Sequence, residues 1–291
     1  MSTTQHWGTL VSAAELASAL GRSDLVVIDA RSRLGDPATA EAAYREAHIL
    51  GARYAHLERD LSAPPGTAPA MQIDAGRHPW PQLDDFLAAL GRWGITPQTQ
   101  VVAYDAGDGA LAAARMWFLL RMLGHERVAV LDGGWEQWQA QGLPVDSDVP
   151  QPTPTNYVGT FDESRLLDAA AVQAHLDQGG MLIDARAHER FRGDIEPIDR
   201  VAGHVPGARN RPYALSMREG RFRPADELAG ELSTLIAARP ASDVAVMCGS
   251  GVTACHLLLA MEHAGLKGAK LFKGSWSGWI GDPNRQIGTG E

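Results

Sequence analysis

The sequence predicts an α/β protein built from two similar domains, each with a parallel sheet flanked by helices. Three observations predict this fold class. The chain has 291 residues, which is enough for about two domains. Short apolar runs typical of buried strands alternate with stretches of helical spacing, as in parallel sheets. Four motifs recur in the same order in both halves, which indicates an internal duplication.

The four repeated motifs fall at the ends of predicted strands or just after them. Because ligands of such sheets bind beyond the carboxyl ends of the strands, these positions are the ones at which to look for a site. The matched pairs are LVVIDAR (25–31) with MLIDAR (181–186), HILGA (48–52) with HVPGA (204–208), VVAYDAG (101–107) with VAVMCGS (244–250), and LDGGWEQW (131–138) with FKGSWSGW (272–279).

Local signals mark the elements between these motifs. Ser12 and Glu15 form a capping-box pattern at the start of a first helix, and Gly21 is a typical residue to follow its end. Three prolines lie close together between residues 146 and 159, and such a run favours extended backbone and suits a linker. We therefore predict an N-terminal domain at 1–145, a linker at 146–159 and a C-terminal domain at 160–291.

Composition and charge exclude several classes of protein. Apolar residues make up 45% and the formal net charge is −9, so a nucleic-acid-binding surface is not expected. No apolar run is long enough to span a membrane, and residues 1–10 do not resemble a signal peptide. Cys248 and Cys255 lie two helical turns apart, too far for a disulfide, and reduced thiols predict a cytoplasmic protein.

The cysteine loop carries the strongest chemical signal. Cys248 follows the apolar strand Val244–Met247, glycines surround Ser250, and a helix is predicted over 252–263. Glycines let backbone N–H groups turn toward the sulfur, and the helix presents its positive end, so both favour a nucleophilic thiolate. A buried, inert cysteine is the structural alternative. A phosphatase loop is disfavoured because Val252–Ala254 contains no arginine.

Together these motifs resemble the tandem-domain sulfurtransferases of the rhodanese superfamily. The resemblance covers nearly the whole chain and implies a silent N-terminal domain, where Asp105 stands at the position of Cys248. It also implies sulfur transfer through a Cys248 persulfide. The loop Cys-Gly-Ser-Gly-Val-Thr (248–253) is similar to that of 3-mercaptopyruvate sulfurtransferases, whereas thiosulfate enzymes typically carry Cys-Arg-Lys-Gly-Val-Thr. Thiosulfate sulfurtransferase and a non-catalytic sulfur carrier are the alternatives.

The resemblance assigns substrate-binding residues. Arg190 matches the arginine that binds the substrate carboxylate, and a guanidinium can do so through two hydrogen bonds. Arg200 falls near the second substrate arginine, with Arg192 as its rival. Besides these, the backbone N–H groups of the loop hold the persulfide, and the loop residues concerned are Gly249, Gly251, Val252 and Thr253.

The mercaptopyruvate branch further implies a proton relay to the departing pyruvate. Ser250 fits its serine, His78 its histidine and Glu58 its acid, with Asp60 as the rival acid. Asp184 is implied to be a buried structural anchor.

The expected partners are an anionic sulfur donor and a thiol, thioredoxin-like or cyanide acceptor. Neither a metal nor a cofactor is expected, and the family prior is a monomer.

Overall fold

The computed structural model describes residues 6–67, 71–107 and 112–291, and these form two compact units. The first unit contains the chain up to Leu61 together with Gln82–Phe161. The second contains Ser62–Pro81 and Asp162–Glu291. Residues 1–5 of the N-terminal segment 1–10, which does not resemble a signal peptide, lie outside the described residues.

The first unit is built on a five-stranded sheet in the order β1-β6-β5-β2-β4, with all neighbours parallel. A short antiparallel pair, β3 with β7, stands beside it. The strands are β1 Leu10–Val11, β2 Leu25–Asp29, β3 His48–Ile49, β4 Arg53–Tyr54, β5 Gln100–Tyr104, β6 Val128–Leu131 and β7 Val145–Asp146. The helices are α1 Ala13–Ala19, α2 Pro37–Glu46, α3 Leu57–Asp60, α4 Leu83–Arg92, α5 Ala113–Met122 and α6 Gly134–Ala140.

The second unit repeats this plan with the parallel order β8-β14-β13-β9-β10. An antiparallel hairpin, β11 with β12, is added to it. The strands are β8 Leu166–Leu167, β9 Met181–Asp184, β10 Arg209–Asn210, β11 Met217–Arg218, β12 Arg221–Phe222, β13 Val244–Met247 and β14 Lys270–Phe272. The helices are α7 Ala169–Asp177, α8 His188–Arg192, α9 Ala225–Leu235, α10 Ala254–His263 and α11 Ser275–Trp279, with single 3₁₀ turns at Glu163–Arg165, Tyr213–Ser216 and Ala241–Asp243.

The predicted α/β class is confirmed, since each sheet is parallel and helices pack against it. The central strands β5 and β13 are buried along their whole length, as expected of strands covered on both faces. Each unit has its own apolar core, with Trp138 fully buried in the first and Trp276 in the second. No helix among the described residues is long and apolar enough to cross a membrane.

Matching contacts in the two units express the duplication in atomic detail. Arg31 pairs with Asp29 at 2.7 Å, and Arg186 pairs with Asp184 at 2.6 Å, directly after β2 and β9. The histidines that open HILGA and HVPGA both donate a hydrogen bond from Nδ1 to a backbone carbonyl earlier in the chain, His48 to that of Tyr44 and His204 to that of Phe191. Both rings also stack on an aromatic ring. These repeated contacts are structural in both units.

Local signals predicted the helix starts with mixed accuracy. Both bonds of the capping box at Ser12 and Glu15 are present at the start of α1. The helix predicted from residue 252 instead begins at Ala254. Residues 252 and 253 remain part of the loop that follows Cys248, so the loop is longer than the hydrophobic pattern indicated.

The units do not follow the predicted domain limits in two places. The predicted linker 146–159 belongs to the first unit, which continues to Phe161. Ser62–Pro81 packs with the second unit although it lies within the first half of the sequence. Glycines of the second unit make this possible. A Cβ on Gly274 or Gly278 would lie 2.2 or 2.3 Å from the carbonyl oxygen of Asp74, closer than any real Cβ contact. Gly76 adopts a φ of +77°, and a Cβ placed on it would lie 2.4 Å from the carbonyl oxygen of Gly274. Only glycines permit this close approach of the two backbones.

Candidate active site

Cys248 lies at the carboxyl end of β13 and is 2% exposed. Two hydrogen bonds with residues of α11 fix the backbone of Cys248, and a third fixes that of Gly249. The Cys248 N–H donates to Ser275 Oγ at 3.1 Å, and its carbonyl accepts from the Trp276 N–H at 3.0 Å. The Ser277 N–H binds the Gly249 carbonyl at 2.9 Å. The start of the loop is therefore rigidly held, while its later residues turn toward α10.

Open backbone donors follow the cysteine. Within the described part of the chain, the N–H groups of Gly249, Ser250, Val252 and Thr253 donate to no protein acceptor. Donors that lie ahead of a helix form a site suited to an anion. This arrangement suits a persulfide or thiolate on Cys248.

Two guanidinium groups flank the second residue of the loop. A Cβ placed on Gly249 would lie 3.3 Å from Arg77 Nη2 and 3.6 Å from both Nη atoms of Arg190. Arg190 is in the last turn of α8, and Arg77 is in the segment Ser62–Pro81 that packs on α11. The Arg77 N–H donates to Ser277 Oγ at 3.0 Å, which fixes the backbone that carries this guanidinium.

Two buried carboxylates face these cations. Asp199 bridges them, since one of its oxygens pairs with Arg77 and the other lies 3.2 Å from Arg190 Nη2. Glu196 binds Arg190 at 2.7 Å. Burial acts to raise the pKa of Glu196, but hydrogen bonds from Arg190 and from the N–H groups of Asp199 and Ile198 outweigh it and lower that pKa. The cationic charge beside the loop is thus largely compensated within the protein.

Ser250 and His78 form a buried pair. The Ser250 hydroxyl lies 2.8 Å from His78 Nδ1, and the two residues are 7% and 5% exposed. His78 directly follows Arg77, so the docking of one short segment brings both side chains to the loop. The pair has the geometry for moving a proton between a hydroxyl and an imidazole.

The two acids considered for the relay lie in the first unit, on α3. Glu58 Oε2 is 3.3 Å from His56 Nδ1. Asp60 is buried and binds Arg59 at 2.8 Å and Arg92 at 3.0 Å. The role of either acid in a relay stays a prediction.

Arg192 and Arg200, the predicted second substrate arginines, make other contacts. Arg192 pairs with Asp194 at 3.0 Å and with Glu291 at 3.2 Å. Arg200 is exposed and donates to the Ile280 carbonyl. Their substrate role stays a prediction. The second guanidinium at Gly249 is that of Arg77, which no motif of the sequence indicated.

Asp184 lies beneath the site as a fully buried carboxylate. It accepts hydrogen bonds from Arg186, both from the backbone N–H and from the guanidinium. That guanidinium lies 4.8 Å from the centre of the buried Trp276 ring.

Cys255 is fully buried on α10, with its sulfur 3.4 Å from the Gly251 carbonyl. Among the described residues no three His, Cys, Asp or Glu side chains are grouped to hold a metal.

Comparison with known proteins gives a consistent result over both units. The Rhodanese-like domain family matches the chain twice, at residues 12–141 and 168–282. A probable 3-mercaptopyruvate sulfurtransferase from Pseudomonas aeruginosa is 45% identical over 97% of this chain and 98% of its own. A putative thiosulfate sulfurtransferase from Mycobacterium tuberculosis, SseB, is 37% identical over 97% of each chain.

A solved structure shows the same architecture. SseA from Escherichia coli, described as a 3-mercaptopyruvate sulfotransferase, superposes with a TM-score of 0.76 at 29% identity. The match covers 93% of this chain and all of that one.

Proposed function

This chain belongs to the rhodanese family as a tandem pair of rhodanese-like domains, and we propose that it is a 3-mercaptopyruvate sulfurtransferase. One observation carries the choice of donor. The loop after Cys248 is neutral, and the two guanidiniums at Gly249 already face the buried carboxylates of Asp199 and Glu196. Such a site suits a carboxylate with a single charge better than the dianion thiosulfate.

The first half-reaction begins with attack of the Cys248 thiolate on the sulfur of 3-mercaptopyruvate. A sulfur–sulfur bond forms, the carbon–sulfur bond breaks, and its electron pair leaves with the carbon as the enolate of pyruvate. The cysteine is left as a persulfide, which the open N–H groups of the loop stabilise as an anion.

Arg77 and Arg190 hold the substrate carboxylate in this scheme, and Arg200 remains a candidate from the sequence, with Arg192 as its rival. A guanidinium binds a carboxylate through two parallel hydrogen bonds, so the pair fixes both position and orientation. The substrate would compete with Asp199 for the two guanidiniums, because that carboxylate now bridges them.

His78 and Ser250 supply the proton that converts the enolate to pyruvate. Their 2.8 Å contact allows the hydroxyl to pass on a proton that the imidazole replaces. Glu58, or Asp60, would orient the histidine as the third member of the relay.

The second half-reaction returns the enzyme to its starting state. An acceptor thiolate, of a small thiol or a thioredoxin-like protein, attacks the outer sulfur and leaves as its own persulfide, while Cys248 departs as thiolate. Cyanide would take the same sulfur as thiocyanate. A cytoplasmic, monomeric enzyme without cofactor stays the expectation from the sequence.

Thiosulfate is the second candidate donor. The observation that favours it is the presence of two guanidiniums beside the loop, which could replace the loop cations of thiosulfate enzymes. The M. tuberculosis relative bears that name.

Mass spectrometry without an acceptor tests the proposal directly. After incubation with 3-mercaptopyruvate, we expect the chain to gain one sulfur atom on Cys248 and to release pyruvate in equal amount. Cys255→Ser should behave in the same way, and Cys248→Ser should do neither. A chain that takes up one sulfur atom but releases no further pyruvate when a thiol is added would instead be a non-catalytic sulfur carrier.

A further inference from the structure

The first unit contains a pocket of about 250 Å³ whose lining is rich in arginine. Arg45 comes from α2, Arg53 from β4, Arg59 from α3 and Arg92 from the end of α4. The rest of the lining consists of the segment 149–152 together with Glu41, Tyr44, Tyr54 and Trp93. We call this the arginine pocket, and all of its lining residues belong to the first unit.

The arginine pocket is positive in a chain whose formal net charge is −9. Arg45 pairs with Glu41 at 2.8 Å. Arg59 and Arg92 share a single carboxylate, the buried Asp60. Arg53 has no carboxylate partner among the described residues. These four guanidiniums therefore form ion pairs with only two carboxylates, Glu41 and Asp60, which leaves an excess of two positive charges among them. The nearby Glu58, whose charge also acts on the lining Tyr54, lies against His56 instead.

Arg53 is the least compensated of the four. One of its Nη atoms donates to the Trp93 carbonyl, but its Nε is buried and has no hydrogen-bond partner within the described part of the chain. Burial lowers the pKa of Arg53, and only Tyr44 acts against that shift. A buried charge is costly unless it is paired, so an anion beside Arg53 would offset this cost.

The geometry points to a ligand with a doubly charged, phosphate-type head group. Guanidiniums bind such oxygens through paired hydrogen bonds, and two net positive charges match a dianion. The hydroxyls of the two lining tyrosines are already used, by Tyr44 on the Ala52 carbonyl and by Tyr54 on the Arg31 carbonyl. Recognition of the head group therefore falls to the arginines.

We propose that the arginine pocket is a binding site for a phosphate-bearing small molecule, lined by none of the residues of the cysteine loop. Its volume of about 250 Å³ accommodates a head group with a modest organic body. The proposal does not depend on the sulfur donor.

Calorimetry with inorganic phosphate and with pyrophosphate, at constant ionic strength, tests the site on the full chain. Arg53→Gln should weaken binding about tenfold or more, as expected when a charged hydrogen-bonding group is lost. Arg127→Gln is the matched control, because Arg127 also donates to a backbone carbonyl, that of Gln98, but does not line the pocket. It should bind as the unmodified chain does.

Two further variants separate the alternatives. Arg190→Gln identifies any phosphate bound at the cysteine loop, and binding that this change removes while Arg53→Gln leaves it intact would overturn the proposal. If Arg53→Gln does not fold, Arg92→Gln takes its place, because its side chain is 58% exposed and Asp60 keeps Arg59. No saturable binding of either anion, or equal affinity in these pocket variants, would also overturn it.

Discussion

Ser250→Ala separates a proton relay from a merely structural contact. The substitution removes one hydrogen bond of 2.8 Å between two buried residues, Ser250 and His78. The loss of such a bond costs about 1 kcal/mol in the free energy of unfolding. The loss of general acid–base catalysis costs about 10²–10⁴-fold in rate. That range corresponds to about 3–5 kcal/mol in activation free energy, so the two roles differ clearly in size.

The assay is single-turnover release of pyruvate, combined with urea unfolding of the same samples. We expect the rate of pyruvate formation to fall about 100-fold or more, while the substrate concentration that gives half the maximal rate stays nearly constant because the carboxylate-binding arginines are untouched. Ser62→Ala is the control, since Ser62 is equally buried and its hydroxyl has no hydrogen-bond partner among the described residues. Ser62→Ala should leave both the rate of pyruvate release and the free energy of unfolding unchanged. A Ser250→Ala chain that is less stable but releases pyruvate at the normal rate would refute the relay.

Three further predictions concern the loop and its surroundings. Gly249→Ala places a Cβ 3.3 Å from Arg77 Nη2, so the guanidinium must move by a few tenths of an ångström. The KM for 3-mercaptopyruvate should therefore rise several-fold in steady-state assays, while the melting temperature stays the same. An unchanged KM would argue against a substrate role for Arg77. The pKa of Glu196 is lowered on folding, so its contribution to stability is present above the unfolded pKa near 4.5 and is lost as pH falls below it. Glu196→Gln should therefore flatten this acid loss in unfolding free energy measured against pH, and an unchanged pH profile would contradict the assignment. Cys248→Ser should abolish cyanide-dependent turnover while Cys255→Ser retains it, and the reverse result would move the nucleophile to Cys255.

The sequence was most informative where the chemistry is local. Three short-range patterns are the strand before Cys248, the glycines after it and the repeated Asp-Ala-Arg motifs. In the structure Cys248 and its glycines directly follow β13, and the two Asp-Ala-Arg motifs begin at the last residues of β2 and β9. The residue paired with Asp184 could be read from the same motif, because Arg186 lies two positions away on the same strand end.

Arg77 illustrates what could not be predicted from local patterns. It lies in no repeated motif and in no regular element, and it is distant from Gly249 in sequence. Its place at the loop depends on the close approach of Gly76 to Gly274, which is a tertiary contact. The neighbouring His78 was found only through the resemblance to a family, and a glycine before an Arg-His pair is too short a signal to locate a site.

The most direct test of the central claim compares kcat/KM for 3-mercaptopyruvate and for thiosulfate, with cyanide as the common acceptor and Cys248→Ser as the blank. Our account predicts a strong preference for 3-mercaptopyruvate, which disappears in the Cys248→Ser chain. A preference for thiosulfate would contradict it, and would mean that Arg77 and Arg190 bind a dianion despite the carboxylates of Asp199 and Glu196.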